Sequence, residues 1–440
     1  MMIKKTHITK LAILVGCQLL AIPSYAQSLE QAIAATLINN PDIKSSYNEF
    51  MTKNEGIRQS QGQYLPSVDL EAGVGYEDYD DDPSGTNGDF NPHYAQISIR
   101  QLIWDGSSTY NDIQRNKSET EAQRYQLLAD AQDTALSTVQ AYLDVIEAQQ
   151  VVKLSQANIE VHNRILKDIQ KRTDSGLSST ADLIQVQGRV ASANTNLLSA
   201  QSNLNDKITA FVRVTGEYPK DLKKPQVDAN FLPTTLEDAL KKAKANNPTL
   251  HVAYHDILAA KSQYNQDTGT MLPTFTVEGS QKFGDELDGD GRNDVDELKV
   301  MLKMNYNLYN GGSDAAKGRA AAYQLTKAKD IRDKAYQMLE QSTRLSWSAR
   351  DLASAQEKYL EQHVDSAAKT IIAYGKQYKI GKRTLLDLLN TENELFDSRK
   401  AYLAAHYDGV LSNYRLLNST GLLLNELRVA IPDQWTKSVK

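Results

Sequence analysis

Two histidines have a spacing that could bind a metal ion. His251 and His255 stand four residues apart in a segment that we predict to be helical, so their imidazoles would lie on one helix face. The carboxylate motif that accompanies such pairs in zinc enzymes is missing from the sequence around them. We therefore interpret both as surface histidines and predict no metal site here.

The acidic segment 286–297 is a second candidate site, because its side-chain oxygens follow the spacing of a calcium-binding loop. The matching positions are Glu286, Asp288, Asp290, Gly291, Asp294 and Glu297. The first position is Glu where Asp is usual, and Asn293 replaces the usual apolar residue. A solvated strand connection among anionic lipids, bridged by divalent ions, is the alternative interpretation.

Motifs for catalysis are weak. The segment GKQYKIGKR (375–383) differs from a phosphate-binding loop, because five residues separate its glycines and arginine follows the lysine. The sequence contains no recognisable nucleophile motif, acid–base pair or cofactor fingerprint. It therefore gives no support to an enzyme, and we predict no cofactor.

The N-terminal segment 1–26 has the pattern of a secretory signal peptide, with lysines, then an apolar run, then a small-residue cleavage site after Ala26. Cys17, the only cysteine, lies inside it, so the exported chain would have no disulfide. Lipidation of Cys17 is the alternative. Removal of the segment would change the formal charge from −6 to −9, which disfavours nucleic acid as a partner.

The rest of the chain is an internal duplication. LEQAIAATLINNP at 29–41 returns as LEDALKKAKANNP at 236–248, and Thr215-Gly216 returns as Thr420-Gly421. A repeat of this length indicates one structural unit used twice. The predicted organisation is a signal peptide (1–26), a first repeat (27–216), a linker (217–235), a second repeat (236–424) and a C-terminal tail (425–440).

Each repeat contains alternating apolar and polar residues typical of strands. Residues 67–79, 274–283 and 297–308 alternate with a period of two, and a less regular strand is predicted near 94–103. Runs of about ten residues suit tilted membrane strands, although a soluble two-sided sheet would alternate as well. Four strands cannot close a barrel, so two or three copies of the chain would be needed to give eight or twelve strands.

A long helix is predicted after the strands of each repeat. Ser107–Ser175 and Arg319–Tyr374 contain neither glycine nor proline, so the first could extend for roughly 100 Å. Gly176 and Gly381 follow these runs and predict turns into return helices that reach Thr215 and Thr420, which makes two helical hairpins. Their narrow apolar stripes favour the wall of a hollow cylinder.

Together these features resemble the TolC family of outer-membrane exit channels over residues 28–424. The most specific part is YKIGKRTLLDLLNTENELF at 378–396, with GLSSTADLIQVQ at 176–187 as its first-repeat counterpart. The resemblance implies a mainly α fold with a membrane β-barrel. It implies a duplicated unit of two strands and a long helical hairpin, assembled as a homotrimer with a twelve-stranded barrel and a periplasmic α-helical tunnel.

The resemblance also implies roles for residues at the hairpin turns. Tyr378 and Arg383 match the tyrosine and arginine that hold the family's tunnel closed, and Asp387 matches the first aspartate of its entrance ring. Asn390 stands where the best-studied members have a second aspartate, which should weaken any cation block. Asp182 matches the hydrogen-bond partner of the arginine.

The adaptor would dock at the turns, on Gly176, Leu177, Gly381 and Lys382. Without the resemblance, these residues would be interpreted as helix caps and surface charges.

We therefore expect a passive conduit in the outer membrane of a Gram-negative bacterium, with a large periplasmic part. It would connect to a periplasmic adaptor and to an inner-membrane ABC exporter or proton-driven pump. The turn at 381–396 favours type I protein secretion, and small-molecule efflux through the same fold is the alternative. An alternative of another class is a coiled-coil scaffold or adhesin that forms no channel.

Overall fold

A computed structural model describes residues 27–81, 86–285 and 294–437 of the chain. The predicted signal peptide 1–26, including Cys17, lies outside the described residues, and so do Glu286, Asp288, Asp290 and Gly291 of the acidic loop. Across the described ranges, no helix combines the length and the apolar composition that a membrane crossing demands.

In both halves of the described chain, two helices are followed by strands and then by a long helical hairpin. The first half contains α1 (Leu29–Asn39), α2 (Pro41–Gly62), β1 (Ser67–Val74), β2 (Glu77–Asp81), β3 (Thr86–Phe90), β4 (His93–Trp104), α3 (Ser108–Asp174) and α4 (Thr180–Thr215). The second half contains α5 (Leu236–Asn246), α6 (Pro248–Gly269), β5 (Thr274–Asp285), β6 (Val295–Asn305), α7 (Ser313–Lys379), α8 (Leu385–Ser419), α9 (Leu423–Glu426) and α10 (Asp433–Thr436).

Local sequence explains where these helices begin. Asn40 and Asn247 each cap a helix whose first residue is proline, and their side chains accept from the backbone two residues on. The two long helices, α3 and α7, are both 67 residues long. Helix α7 extends past the predicted run at both ends and includes Gly318 and Gly375. A glycine inside a helix costs only about 1 kcal/mol, which the packing of so long a helix can offset.

Four strands form one antiparallel sheet in the order β1-β4-β5-β6, so the pairing of β4 with β5 joins the two repeats. The prediction of a single first strand over 67–79 is wrong, because β1 ends at Val74. Residues 75 and 76 interrupt the strand, and the Gly75 N–H donates to the carbonyl of Pro92 at 2.8 Å. Beyond this point β2 and β3 pair as a separate two-stranded ribbon.

The sheet has two different faces. Val74 and Leu298 are 89% and 73% exposed on an apolar face of the single chain. The other face carries charged side chains, where Glu278 forms ion pairs with Lys303 and, at 3.7 Å, with Arg100. The alternation in the sequence therefore corresponds to an uncovered apolar face and an ionic one.

The main core lies where the repeats meet, between α1, the middle of α3, the C-terminal half of α8 and the chain beyond it. Tyr142 and Tyr414 are among its largest fully buried side chains. The Tyr142 hydroxyl lies 2.7 Å from the carbonyl oxygens of both Gln27 and Lys223. This bond attaches the start of the first repeat and the interrepeat linker to the long helix.

Candidate functional site

The two helical hairpins end in turns of the same geometry. Gly176 and Gly381 adopt left-handed backbone conformations, with φ of +71° and +75°, which glycine tolerates best. At each turn the next residue donates its N–H back to the last helical turn, Leu177 to Arg172 at 2.7 Å and Lys382 to Gln377 at 2.9 Å. Leu177 and Lys382 are exposed, so both turns present side chains to the surroundings.

Each return helix begins with a capping box. The Ser179 side chain accepts from the N–H of Asp182, and the Asp182 carboxylate accepts from Ser178 and from the N–H of Ser179. Thr384 and Asp387 form the same pair of bonds in the second repeat. These hydrogen bonds hold the pKa of both aspartates below its usual value. Both carboxylates therefore stabilise their own helix starts.

Four buried apolar side chains join the hairpins just inside the turns. The apolar tip cluster consists of Ile169 on α3, Val186 on α4, and Leu385 and Leu389 on α8. Tyr378 on α7 packs against it, so the cluster takes side chains from all four hairpin helices. Its residues lie on both repeats, and its burial holds the ends of the two hairpins together.

Tyr378 contacts the first hairpin through an arginine that sequence reasoning missed. The guanidinium carbon of Arg172 lies 5.3 Å from the centre of the Tyr378 ring. Burial raises the pKa of Tyr378, and the nearby charge of Arg172 partly opposes that change. A basic residue in the last turn of a helix is common, so the sequence offered little to distinguish Arg172 from other helix-end residues.

Arg383 contacts residues of its own hairpin in the single chain. Its Nε donates to Oε1 of Gln377 at 3.2 Å, and its guanidinium carbon lies 4.2 Å from the centre of the Tyr374 ring. Its Nη1 is 4.0 Å from the Asp387 carboxylate. The described hydrogen bonds of Asp182 are to Ser178 and Ser179, and an inter-helix bond between Asp182 and Arg383 stays a prediction.

Asn390 is exposed on α8, and its side chain meets the first hairpin. Nη2 of Arg189, on α4, donates to Oδ1 of Asn390 at 2.9 Å. Sequence reasoning assigned Asn390 to the entrance and missed Arg189. Arg189 stands seven residues after Asp182, so the two lie on the same side of α4. This spacing was the signal in the sequence that could have indicated Arg189.

The histidine pair lies elsewhere, on α6. His251 and His255 stack on the ring of Tyr125, with ring centres 4.6 Å and 5.4 Å apart. The guanidinium carbon of Arg124 lies 4.2 Å from the centre of the same ring. Burial lowers the pKa of His255, which favours its neutral form. Among the described residues, no group of three His, Cys, Asp or Glu side chains is placed to hold a metal ion.

Comparison with known proteins places this geometry in a family. The sequence model of the family described as outer membrane efflux protein matches residues 32–217 and again 239–422, which is one match for each repeat. The outer membrane efflux protein BepC of Brucella suis is 25% identical, with 99% of this chain and 95% of the relative covered. TolC of Escherichia coli is 24% identical, covering 98% of this chain and 90% of the relative. The alkaline protease secretion protein AprF of Pseudomonas aeruginosa is 22% identical over 92% of this chain and 86% of the relative.

Solved structures agree on the fold. The CmeC outer membrane channel of Campylobacter jejuni superposes with a TM-score of 0.80 at 15% identity, covering 90% of this chain and 86% of that one. The outer membrane protein VceC of Vibrio cholerae gives 0.78 at 16% identity, with 89% and 96% covered.

These matches confirm the predicted TolC-family resemblance, the fold of strands and long helical hairpins, and the location in a Gram-negative outer membrane. The chain belongs to the outer membrane efflux protein family.

Proposed function

We propose that three copies of this chain form a gated conduit that receives its substrate from a periplasmic adaptor and an inner-membrane pump. Channels of this family are trimeric and work with such partners. The observation that carries the proposal is the joining of both hairpins by the apolar tip cluster and Tyr378 at the end away from the sheet. In the proposed channel, this contact would hold while the tunnel end is closed and would break when the tunnel opens.

Surfaces left uncovered in one chain support the assembly. The described sheet of a single copy has β1 and β6 at its edges, and its apolar face is exposed. On α7, large apolar side chains are also exposed, among them Tyr359 at 70% and Leu345 at 63%. Exposed apolar surface of this extent marks an interaction site. Three copies would pair these edges into twelve strands and cover the helices with neighbouring copies.

The gate would consist of Tyr378, Arg383, Asp387, Asn390 and Asp182. In one chain Tyr378 contacts the first hairpin, whereas Arg383 and Asp182 have bonds within their own turns. Both of the latter lie at exposed turns where a neighbouring copy can reach them. Asp387 would contribute one carboxylate per chain to the entrance, and Asn390 an uncharged amide.

Single-channel recording in a planar bilayer tests the channel and the gate together. We expect a small conductance from the wild-type protein and a clear increase in the double variant Tyr378→Phe, Arg383→Ser, because hydrogen bonds to charged groups contribute about 1.5–3 kcal/mol each. Equal conductance in the two folded proteins would contradict the gate. No conductance from either would contradict the channel and support the scaffold alternative.

The exposed turns are the proposed docking site for the adaptor. Gly176 and Gly381 have open space around them, and Leu177 and Lys382 project from the same turns. Leu177→Asp with Lys382→Glu should weaken cross-linking to the adaptor without changing the amount of folded trimer. Unchanged cross-linking would move the docking site elsewhere.

For the cargo, we propose type I secretion of polypeptides, supported by the turn motif at 381–396 and by the similarity to AprF, whose name assigns it to alkaline protease secretion. Small-molecule efflux is the second candidate, supported by the name of BepC. A deletion strain separates them. Loss of secreted proteins from the medium would support secretion, and increased sensitivity to toxic compounds with an unchanged secretome would support efflux.

A further inference from the structure

A polar cluster lies next to the apolar tip cluster, where three helices of the two hairpins meet. Arg189 on α4 precedes Val190, and Asn390 on α8 follows Leu389, and both of these apolar neighbours pack at the tip cluster. The bond from Arg189 Nη2 to Asn390 Oδ1, at 2.9 Å, joins residues 201 positions apart. It therefore connects the first hairpin directly to the second.

A buried histidine on α3 extends this cluster. His162 is 1% exposed, and the side chain of Asn393 on α8 lies close enough to raise the pKa of its ring. The charge of Arg189 and burial both lower the pKa of His162, so Arg189 lies close enough to influence it. His162, Arg189, Asn390 and Asn393 thus bring polar side chains of α3, α4 and α8 together.

We propose that Arg189 and Asn390 form a latch that holds the two hairpins together in the closed channel and must break when the channel opens. The proposal rests on the proposed function as a gated conduit. It adds a pair to the residues already assigned to the gate, and it gives Asn390 a role beyond the absence of a carboxylate. Both residues of the pair belong to one chain, so the latch does not depend on a neighbouring copy.

The chemistry of the pair predicts opposite effects for two substitutions. The amide oxygen of Asn390 accepts a hydrogen bond from the guanidinium without a charge of its own. Arg189→Gln removes the charged donor and should weaken the latch. Asn390→Asp would replace the amide by a carboxylate, and the resulting ion pair should strengthen it. The strengthening should vanish when Arg189→Gln is also present.

Spin-label distances test the latch without requiring conduction. Ser192 on α4 and Asp397 on α8 are exposed and lie about one to two turns beyond the latch. The sequence beyond residue 26 contains no cysteine, so Ser192→Cys with Asp397→Cys gives two unique labelling sites on the exported chain. The assembled protein is magnetically diluted with unlabelled copies so that one chain's distance is measured.

We expect a longer and broader distance distribution in Arg189→Gln and a narrower one in Asn390→Asp. Lys207→Gln is the matched control, because Lys207 is also a cation on α4 but pairs with Asp144 of its own hairpin, at 2.9 Å. In bilayers, Arg189→Gln should raise the open fraction about threefold, the scale of a partly exposed hydrogen bond with one charged partner. Asn390→Asp should lower it.

The outcomes separate the latch from the channel. Identical distance distributions in wild type and Arg189→Gln would overturn the latch, even if every variant conducts. Distances that change as expected, in protein that never conducts, would support the latch as a link between hairpins and contradict the channel. Asn390→Asp removes no contact, so it provides a test even if Arg189→Gln proves poorly folded.

Discussion

Arg172, four residues before the first hairpin turn, lies over the ring of Tyr378, three residues before the second turn, with its guanidinium carbon 5.3 Å from the ring centre. The two hairpin ends are equivalent in the repeats, but the side chains that meet there are not. The first hairpin contributes an arginine and the second a tyrosine.

This contact predicts that the ring and the hydroxyl of Tyr378 contribute separately. Tyr378→Phe keeps the ring under Arg172 and removes only the hydroxyl, whereas Tyr378→Leu removes the ring as well. A cation over an aromatic ring contributes about 0.5–1 kcal/mol at exposed sites. Tyr378→Leu should therefore open the channel more often than Tyr378→Phe, in single-channel recordings.

Arg172→Gln provides the control for that comparison. When Arg172→Gln is also present, Tyr378→Leu and Tyr378→Phe should open the channel equally often, because no cation is left to contact the ring. A difference of the same size with and without Arg172 would mean that the ring acts only through its apolar packing.

Truncating a buried side chain of the apolar tip cluster should reduce stability locally, at the hairpin ends. Leu389 is fully buried, and truncation of a buried leucine to alanine costs about 2–5 kcal/mol. The main core lies around the middle of α3 and the C-terminal half of α8, away from the tip, so we expect Leu389→Ala to increase hydrogen exchange at both hairpin ends while leaving the core protected.

Leu386→Ala is the matched control, since Leu386 is one turn away on α8 and 46% exposed. It should leave exchange at the first hairpin unchanged. Faster exchange in α7 and α8 alone after Leu389→Ala would show that the cluster does not couple the two hairpins.

Much of this fold could be predicted from the sequence because it repeats and because its patterns are long. The Gly-free run from Ser107 predicted α3 to within one residue at each end, and the glycines at 176 and 381 marked both hairpin turns. The break in the first strand at Gly75 was missed, because the alternation of side chains continues across it. Arg172 and Arg189 were missed since contacts between hairpins depend on how helices pack, which neither repeats nor local spacing encodes.

The duplication also hides a difference between two equivalent glycines, Gly62 and Gly269, which end α2 and α6. A Cβ on Gly269 would lie 2.6 Å from the carbonyl oxygen of Gly106, whereas a Cβ on Gly62 would meet nothing within 4 Å. Gly269→Ala should therefore destabilise the protein by about 1–3 kcal/mol, the usual cost of overpacking. Gly62→Ala should be neutral or slightly stabilising.

Thermal unfolding of the two alanine variants, measured side by side, checks this prediction. The backbone at both sites is helical, so propensity favours alanine equally in each. A lower melting temperature for Gly269→Ala alone would establish the close contact between α6 and the start of α3. Equal melting temperatures would mean that this junction moves apart at little cost.

The buried His162 predicts a dependence on pH near the hairpin ends. Burial and the positive charge of Arg189 lower the pKa of His162, and the neighbouring side chain of Asn393 partly opposes them. The unfolded chain, with a histidine pKa of about 6.5, then binds more protons than the folded chain as the pH falls. Stability contributed by neutral His162 is complete above that value and declines as the pH falls towards the lower folded pKa.

Hydrogen exchange of α3 around His162, measured between about pH 7 and pH 5 and corrected for the intrinsic rate, should therefore show protection decreasing with acidity. His162→Gln should remove the pH dependence of that region, because glutamine does not titrate. Arg189→Gln should make the decrease smaller and end it at a higher pH, since it eliminates one of the two causes that lower the folded pKa of His162. If the decrease kept the same size and ended at the same pH in Arg189→Gln, the charge of Arg189 would have no effect on His162, and the pH response would arise from burial alone.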